Sequence, residues 1–91
     1  MQNKQEFEQL AGAYGYAPIE LKNPAPMWSF LNDDSKVRIN YYYSTGSTTA
    51  QLPRMEGQLY GKMILNKKGI IDALQFEYAL IEIQKKISET L

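Results

Sequence analysis

The chain has 91 residues, its ten lysines and arginines balanced by ten aspartates and glutamates, and it contains no cysteine and no histidine. That length holds one domain, 1–91, with one modest core. The missing residue types exclude a disulfide framework, a thiol nucleophile and a thiolate metal site, and they remove the commonest general base and zinc ligand.

Hydrophobic content of 44% beside 22% charged residues fits a folded domain rather than a disordered one. The opening Met1-Gln2-Asn3-Lys4-Gln5-Glu6 has no apolar core of a secretory signal. No stretch approaches the ~20 apolar residues that span a bilayer. The expected setting is cytoplasmic, away from membranes. The charges are segregated along the chain. Residues 1–35 carry two cations and five acids, residues 36–68 six cations and the single acid Glu56, and residues 69–91 two cations and four acids. A basic middle between acidic flanks points to an anionic partner if folding keeps the middle on one surface, and to nothing if folding interleaves the segments.

Asn3 followed by Glu6 resembles a capping box, and Phe7, Leu10, Ala11 and Tyr14 follow at helical spacing. A short helix is expected over Lys4 to Ala13, stopped by Gly12 or Gly15. Pro18, Pro24 and Pro26 make 15–27 a poor site for helix or central strand, so an ordered connection is expected there. Trp28 and Phe30 alternate with Ser29 as a short strand would. Asn32-Asp33-Asp34-Ser35 is turn chemistry. Lys36 to Tyr43 is the clearest strand, dense in β-branched and aromatic residues.

Ser44-Thr45-Gly46-Ser47 turns that strand back. A two-residue turn at Thr45-Gly46 pairs Ile39 with Leu52, Tyr41 with Ala50 and Tyr43 with Thr48; a three-residue loop pairs Ile39 with Gln51 and Tyr41 with Thr49. The first register is preferred because it makes one face apolar and gives the other Arg38, Asn40, Tyr42, Thr49 and Gln51. Gln58 to Leu65 alternates again and reads as a last strand. Asn66 can then cap a long helix from Lys67 to Glu89. Its apolar residues cover roughly 240° of arc, more than one sheet contact requires. The surplus, which includes Ile70, Leu74, Tyr78 and Ile81, is covered either by the first helix or by a second copy of the chain in a homodimer.

The expected fold is therefore α+β: a short N-terminal helix, a 3–4 stranded antiparallel sheet and a long C-terminal helix packed on one sheet face. This order resembles the double-stranded-RNA-binding topology, whose second helix opens on Lys-Lys-x-Ala-Lys. Here the corresponding Lys67-Lys68-Gly69-Ile70-Ile71 keeps only the lysine pair. The run Arg38 to Gly46 resembles hairpins of small viral and phage proteins, which implies no function.

No catalytic constellation stands out. Glu20-Leu21-Lys22 matches half of a metal-dependent nuclease signature, but the only acids before it, Glu6 and Glu8, sit on the expected helix. The aspartates at 33 and 34 are ordinary turn chemistry, and no glycine-rich phosphate loop follows a strand. No enzyme activity, metal or cofactor is expected.

Strict alternation instead puts Lys36, Arg38, Asn40 and Tyr42 on one side of the main strand, with Gln51 joining across the hairpin and Tyr60 and Lys62 from the last strand. Cations beside an exposed tyrosine are what a nucleic acid, single-stranded or structured, requires: charge for phosphates and a ring for a base. An antiparallel sheet with one solvated face is also charged there for solubility alone. The expected function is a non-enzymatic module binding nucleic acid through that face. The competing expectation is a protein–protein module, such as a phage-type inhibitor or adaptor, engaged through Ile70, Leu74, Tyr78 and Ile81.

Overall fold

The structure is a computed structural model that describes residues 3–21 and 26–90. Asn3 caps the first helix, α1 (Lys4–Ala13), as the sequence suggests: its side-chain oxygen accepts from the backbone N–H of Gln5 at 3.0 Å and of Glu6 at 3.4 Å. The chain reverses at Gly15, which adopts a positive φ of 88°. Five strands follow: β1 (Tyr16–Ile19), β2 (Met27–Asn32), β3 (Arg38–Tyr42), β4 (Ser47–Gln51) and β5 (Met63–Lys67). A long helix, α2 (Ala73–Thr90), ends the chain. The strands pair antiparallel in sequence order, so β1 and β5 form the edges.

The α+β class holds, with five strands in place of the expected three or four. The additional one is β1, inside the stretch read as a connection. Pro18 argues against a central strand, but β1 is an edge strand, where a missing N–H need not break a ladder. Residues 22–25, with Pro24 and Lys22, lie outside the described residues.

The β3–β4 register pairs Ile39 with Ala50 and Tyr41 with Thr48. This is two residues away from the preferred register, because the turn is longer: Gly46 N–H donates to Tyr42 C=O at 2.7 Å, closing a loop over 43–46. A shift of two preserves facing, so the apolar and polar sides are those expected.

The last strand is shorter and later than expected. Residues 52–62 form a loop, and Leu59 and Tyr60 are exposed in it. Gly61 lies so close to Leu52 that a Cβ would collide with the Leu52 carbonyl oxygen, while Leu52 N–H donates to Lys62 C=O at 2.9 Å. Asn66 sits inside β5 and caps nothing. The helix begins only after Gly69, at a φ of 78°, and after Ile70, which is buried in the core. Asp72 supplies the start instead, accepting from Gln75 N–H at 2.9 Å, while the Gln75 side chain accepts from Ile71 N–H at 2.8 Å. Lys67 thus ends a strand and Lys68 follows it, neither opening a helix, and the resemblance to the RNA-binding topology loses the position that carried it.

Both helices cover the same face of the sheet. The inward rows are Phe30, Ile39, Ala50 and Leu65, and beside them Trp28, Tyr41 and Thr48. Phe7 of α1 joins the layers: its ring lies 4.6 Å from Tyr41 and 4.6 Å from Phe76 of α2, and 5.4 Å from Trp28. Tyr41 donates its hydroxyl to Ile70 C=O at 2.8 Å, and Ile70 N–H donates to Gly46 C=O at 2.8 Å. These two bonds tie the start of α2 to the β3–β4 turn. One inward polar group lacks a partner among the described residues, the Thr48 hydroxyl.

The first helix covers part of the wide apolar arc of α2. Ile71, Leu74, Tyr78 and Ile81 remain 48 to 65% exposed. Ile70 does not belong with them, being 3% exposed and fixed by its backbone to the hairpin turn. Among the described residues, no helix is long and apolar enough to cross a membrane.

Candidate nucleic-acid interface

With both helices on one side, the other face of the sheet is left uncovered by them. Its cross-strand rows run Ala17–Leu31–Arg38–Gln51, Ile19–Ser29–Asn40–Thr49–Asn66 and Met27–Tyr42–Ser47. No side chain in these rows is acidic. The acids of the secondary structure elements lie on the helices instead, which carry Glu6, Glu8, Glu77, Glu82 and Glu89 against Lys4, Lys85 and Lys86. Of the six cations of the basic middle, Arg38 lies in these rows, Lys67 ends β5 on the helix side, and Lys36, Arg54, Lys62 and Lys68 lie in turns and loops. A net charge of zero is compatible with a polar, acid-free face on one side of a molecule this small.

The centre of the open face is a hydrogen-bonded polar cluster. Asn40 is its hub and is only 6% exposed. Its side-chain oxygen accepts from the Ser29 hydroxyl at 2.7 Å and from Arg38 Nε at 3.2 Å, and its amide nitrogen donates to Thr49 Oγ1 at 3.3 Å. Arg38 Nη2 donates to Ser29 Oγ at 3.4 Å. Buried amide and hydroxyl groups are tolerated here because each has partners. Arg38 lies back over its own strand, half-buried, and has no carboxylate partner among the described residues. An ion pair joins Lys67 and Glu82, at 3.5 Å on the helix side.

The structure divides the residues singled out from sequence. It brings together Arg38, Asn40, Tyr42 and Gln51, with Thr49 and Ser29 beside them. The sequence places Ser29 only in a short strand; its role depends on a cross-strand neighbour that a single run of sequence does not reveal. Asn40 acts through Arg38 and presents little surface of its own. Lys36 falls off the strand, in the β2–β3 turn with a φ of 62°. Tyr60 and Lys62 belong to the β4–β5 loop rather than a strand, with Tyr60 78% exposed. Topology nevertheless puts Lys36 and Lys62 at the same end of the sheet, where β3 begins and β4 ends, next to the Arg38–Gln51 row.

The other chemical readings gain no geometry. Glu20 is exposed beyond the end of β1, and Lys22 lies outside the described residues. Asn32 caps the turn at 33–35, its side-chain oxygen accepting from Asp34 N–H at 2.8 Å and Ser35 N–H at 2.9 Å. No group of three or more Asp or Glu side chains that could hold a metal ion occurs among the described residues. A cavity of about 290 Å³ between α1 and the β1–β2 edge has, among the described residues, only Lys4 and Glu20 as charged lining groups. Two phenols are perturbed, both on the helix side of the fold. Burial pushes Tyr16 above its ordinary value, and desolvation, followed by the nearby Glu77 carboxylate at 3.3 Å, does the same to Tyr14.

Comparison with protein-family models, with curated proteins and with solved structures finds no match to this chain.

Proposed function

We propose that this chain is a small non-enzymatic binding module that takes nucleic acid on the open face of its sheet. The observation that carries the reading is that the strand rows of the open face hold no acidic side chain, and that Arg38, at the start of β3, has no carboxylate partner among the described residues. Phosphate oxygens require cations that no carboxylate has already taken, and bases require an accessible ring. Arg38 meets the first need with Lys36 and Lys62 at the same end of the sheet. Half-buried Tyr42 on the face and exposed Tyr60 in the adjoining loop meet the second.

Fluorescence anisotropy with a short labelled oligothymidylate tests the reading. Binding is expected, and it should weaken steeply as salt rises. Arg38→Glu combined with Lys62→Glu should weaken it by at least ~10-fold, since each good contact contributes on the order of 1–3 kcal/mol. An unchanged affinity in that double variant contradicts the assignment of the surface.

A second reading has an observation of its own. Leu74, Tyr78 and Ile81 of α2, with Ile71 just before it, recur at helical spacing and stay about half exposed or more. Such a stripe suits a protein partner, in the manner of a phage-type inhibitor or adaptor, or a second copy of the chain. Light scattering across concentration, with Leu74→Glu as the comparison, tests the homodimer. A dimer abolished by the substitution supports it, and a monomer at every concentration removes it.

A further inference from the structure

The polar cluster on the open face poses a question of chemistry. Arg38 is held by an amide and a hydroxyl, although a carboxylate at position 40 would bind the same guanidinium more strongly through a charge-assisted bond. The neutral partners orient the group without cancelling its charge. They also occupy one particular edge. Nε and Nη2 face Asn40 and Ser29, so the side-on pair of donors is spent. Both N–H groups of Nη1 and the second N–H of Nη2 have no partner among the described residues. One N–H of Nη1 and the free one of Nη2 form the end-on fork of the guanidinium, the geometry that takes two oxygens of one oxyanion.

The geometry points to Arg38 as a seat for a phosphate oxyanion, with Asn40 as the positioning residue whose lack of charge keeps the seat available. The inference rests on the nucleic-acid reading for its natural ligand, the phosphodiester of a bound strand. It deepens that reading by giving Arg38 a defined oxyanion-binding edge and a buried asparagine a part in binding. The seat makes one phosphate contact. It therefore contributes about one unit to the salt dependence of binding and confers no base preference.

Asn40→Asp is the informative substitution because it is nearly isosteric. The Ser29 hydroxyl and Arg38 Nε still find an acceptor at position 40, and the Thr49 hydroxyl can rotate to donate where it now accepts. The cluster keeps its bonds while Arg38 loses its net charge to a neighbour. Arg38→Lys is the second variant. It keeps the charge and removes the fork, and it serves if Asn40→Asp fails to fold.

The experiment measures oligothymidylate affinity across salt for the three proteins, and follows the Arg38 guanidinium signals by NMR as inorganic phosphate is added. Wild type should bind the oligonucleotide, and phosphate should shift its Arg38 signals. Asn40→Asp should bind at least ~10-fold more weakly, with the salt slope smaller by about one and no shift on adding phosphate. Arg38→Lys should also bind several-fold more weakly. A folded Asn40→Asp protein with wild-type affinity and slope overturns the seat while leaving the nucleic-acid reading intact. If that variant does not fold, wild-type affinity in Arg38→Lys overturns it. Should wild type bind no oligonucleotide, the nucleic-acid reading falls, and the phosphate arm alone decides: a shift in wild type that Asn40→Asp abolishes upholds an oxyanion seat, and no shift in wild type overturns it.

Discussion

The two faces of this sheet are made from the same strands and differ in what holds them. On the helix side, Phe7, Phe30, Tyr41 and Phe76 pack ring against ring, and the hydrophobic effect dominates. On the open side, Ser29, Arg38, Asn40 and Thr49 are linked by hydrogen bonds that contribute little net stability and mainly fix positions. Alternation along β3 assigns each residue to one regime or the other. The lesson is a separation of tasks: substitutions on one side should change whether the chain folds, and substitutions on the other what it binds.

The largest expected effect is on the helix side. Phe7→Ala removes the ring that touches both the sheet and α2, and should destabilise the fold by about 3–5 kcal/mol in a denaturant titration. Gly61→Ala tests the loop below the open face. Its methyl would collide with the Leu52 backbone, and a loss of roughly 1–3 kcal/mol is expected. On the open side, Arg38→Glu should leave the melting temperature nearly unchanged while weakening oligonucleotide binding. A large loss of stability there would blur the separation.

Thr48→Val sharpens the comparison from the inside. The hydroxyl is buried without a partner among the described residues, so a methyl in its place should stabilise the chain by about 1 kcal/mol in the same titration. The smallest effect concerns pH. The Tyr14 and Tyr16 phenols are raised in the folded chain, so the fold favours their protonated forms. Their contribution is intact below the ordinary value of 10.0 and is lost as pH climbs through the raised values. Melting temperature should hold steady from neutrality to about pH 10 and fall beyond it, and Tyr16→Phe should flatten part of that fall.

Where the physics is local, the sequence carried it. Asn3 three residues before Glu6 fixes the start of α1, and the alternation from Val37 to Tyr42 fixes which side chains face the helices. What stayed hidden depends on neighbours distant in sequence. Pro18 reads as a strand breaker until β1 is known to be an edge. The hairpin register follows from a loop closed by Gly46, whose carbonyl also holds Ile70. Lys67 to Ile71 looks helical by pattern, yet Gly69 turns the chain and Ile70 is drawn into the core beneath Tyr41. The same limit applies to the site. Arg38 and Tyr42 are legible as partners on one face, whereas the bonds from Ser29 and Asn40 that orient Arg38 cross between strands. Tyr60 and Lys62 were assigned to that face by a strand that begins only at Met63.

The sheet face and the α2 stripe are separable in one measurement, NMR mapping of backbone and side-chain shifts as oligothymidylate is added to the wild-type chain. Shifts concentrated at Arg38, Asn40, Tyr42, Thr49 and Gln51, with Ile71, Leu74, Tyr78 and Ile81 unmoved, are the expected result. Shifts confined to α2, or no shift on β3 and β4 at saturating oligonucleotide, would contradict the claim that the open sheet face is the binding surface.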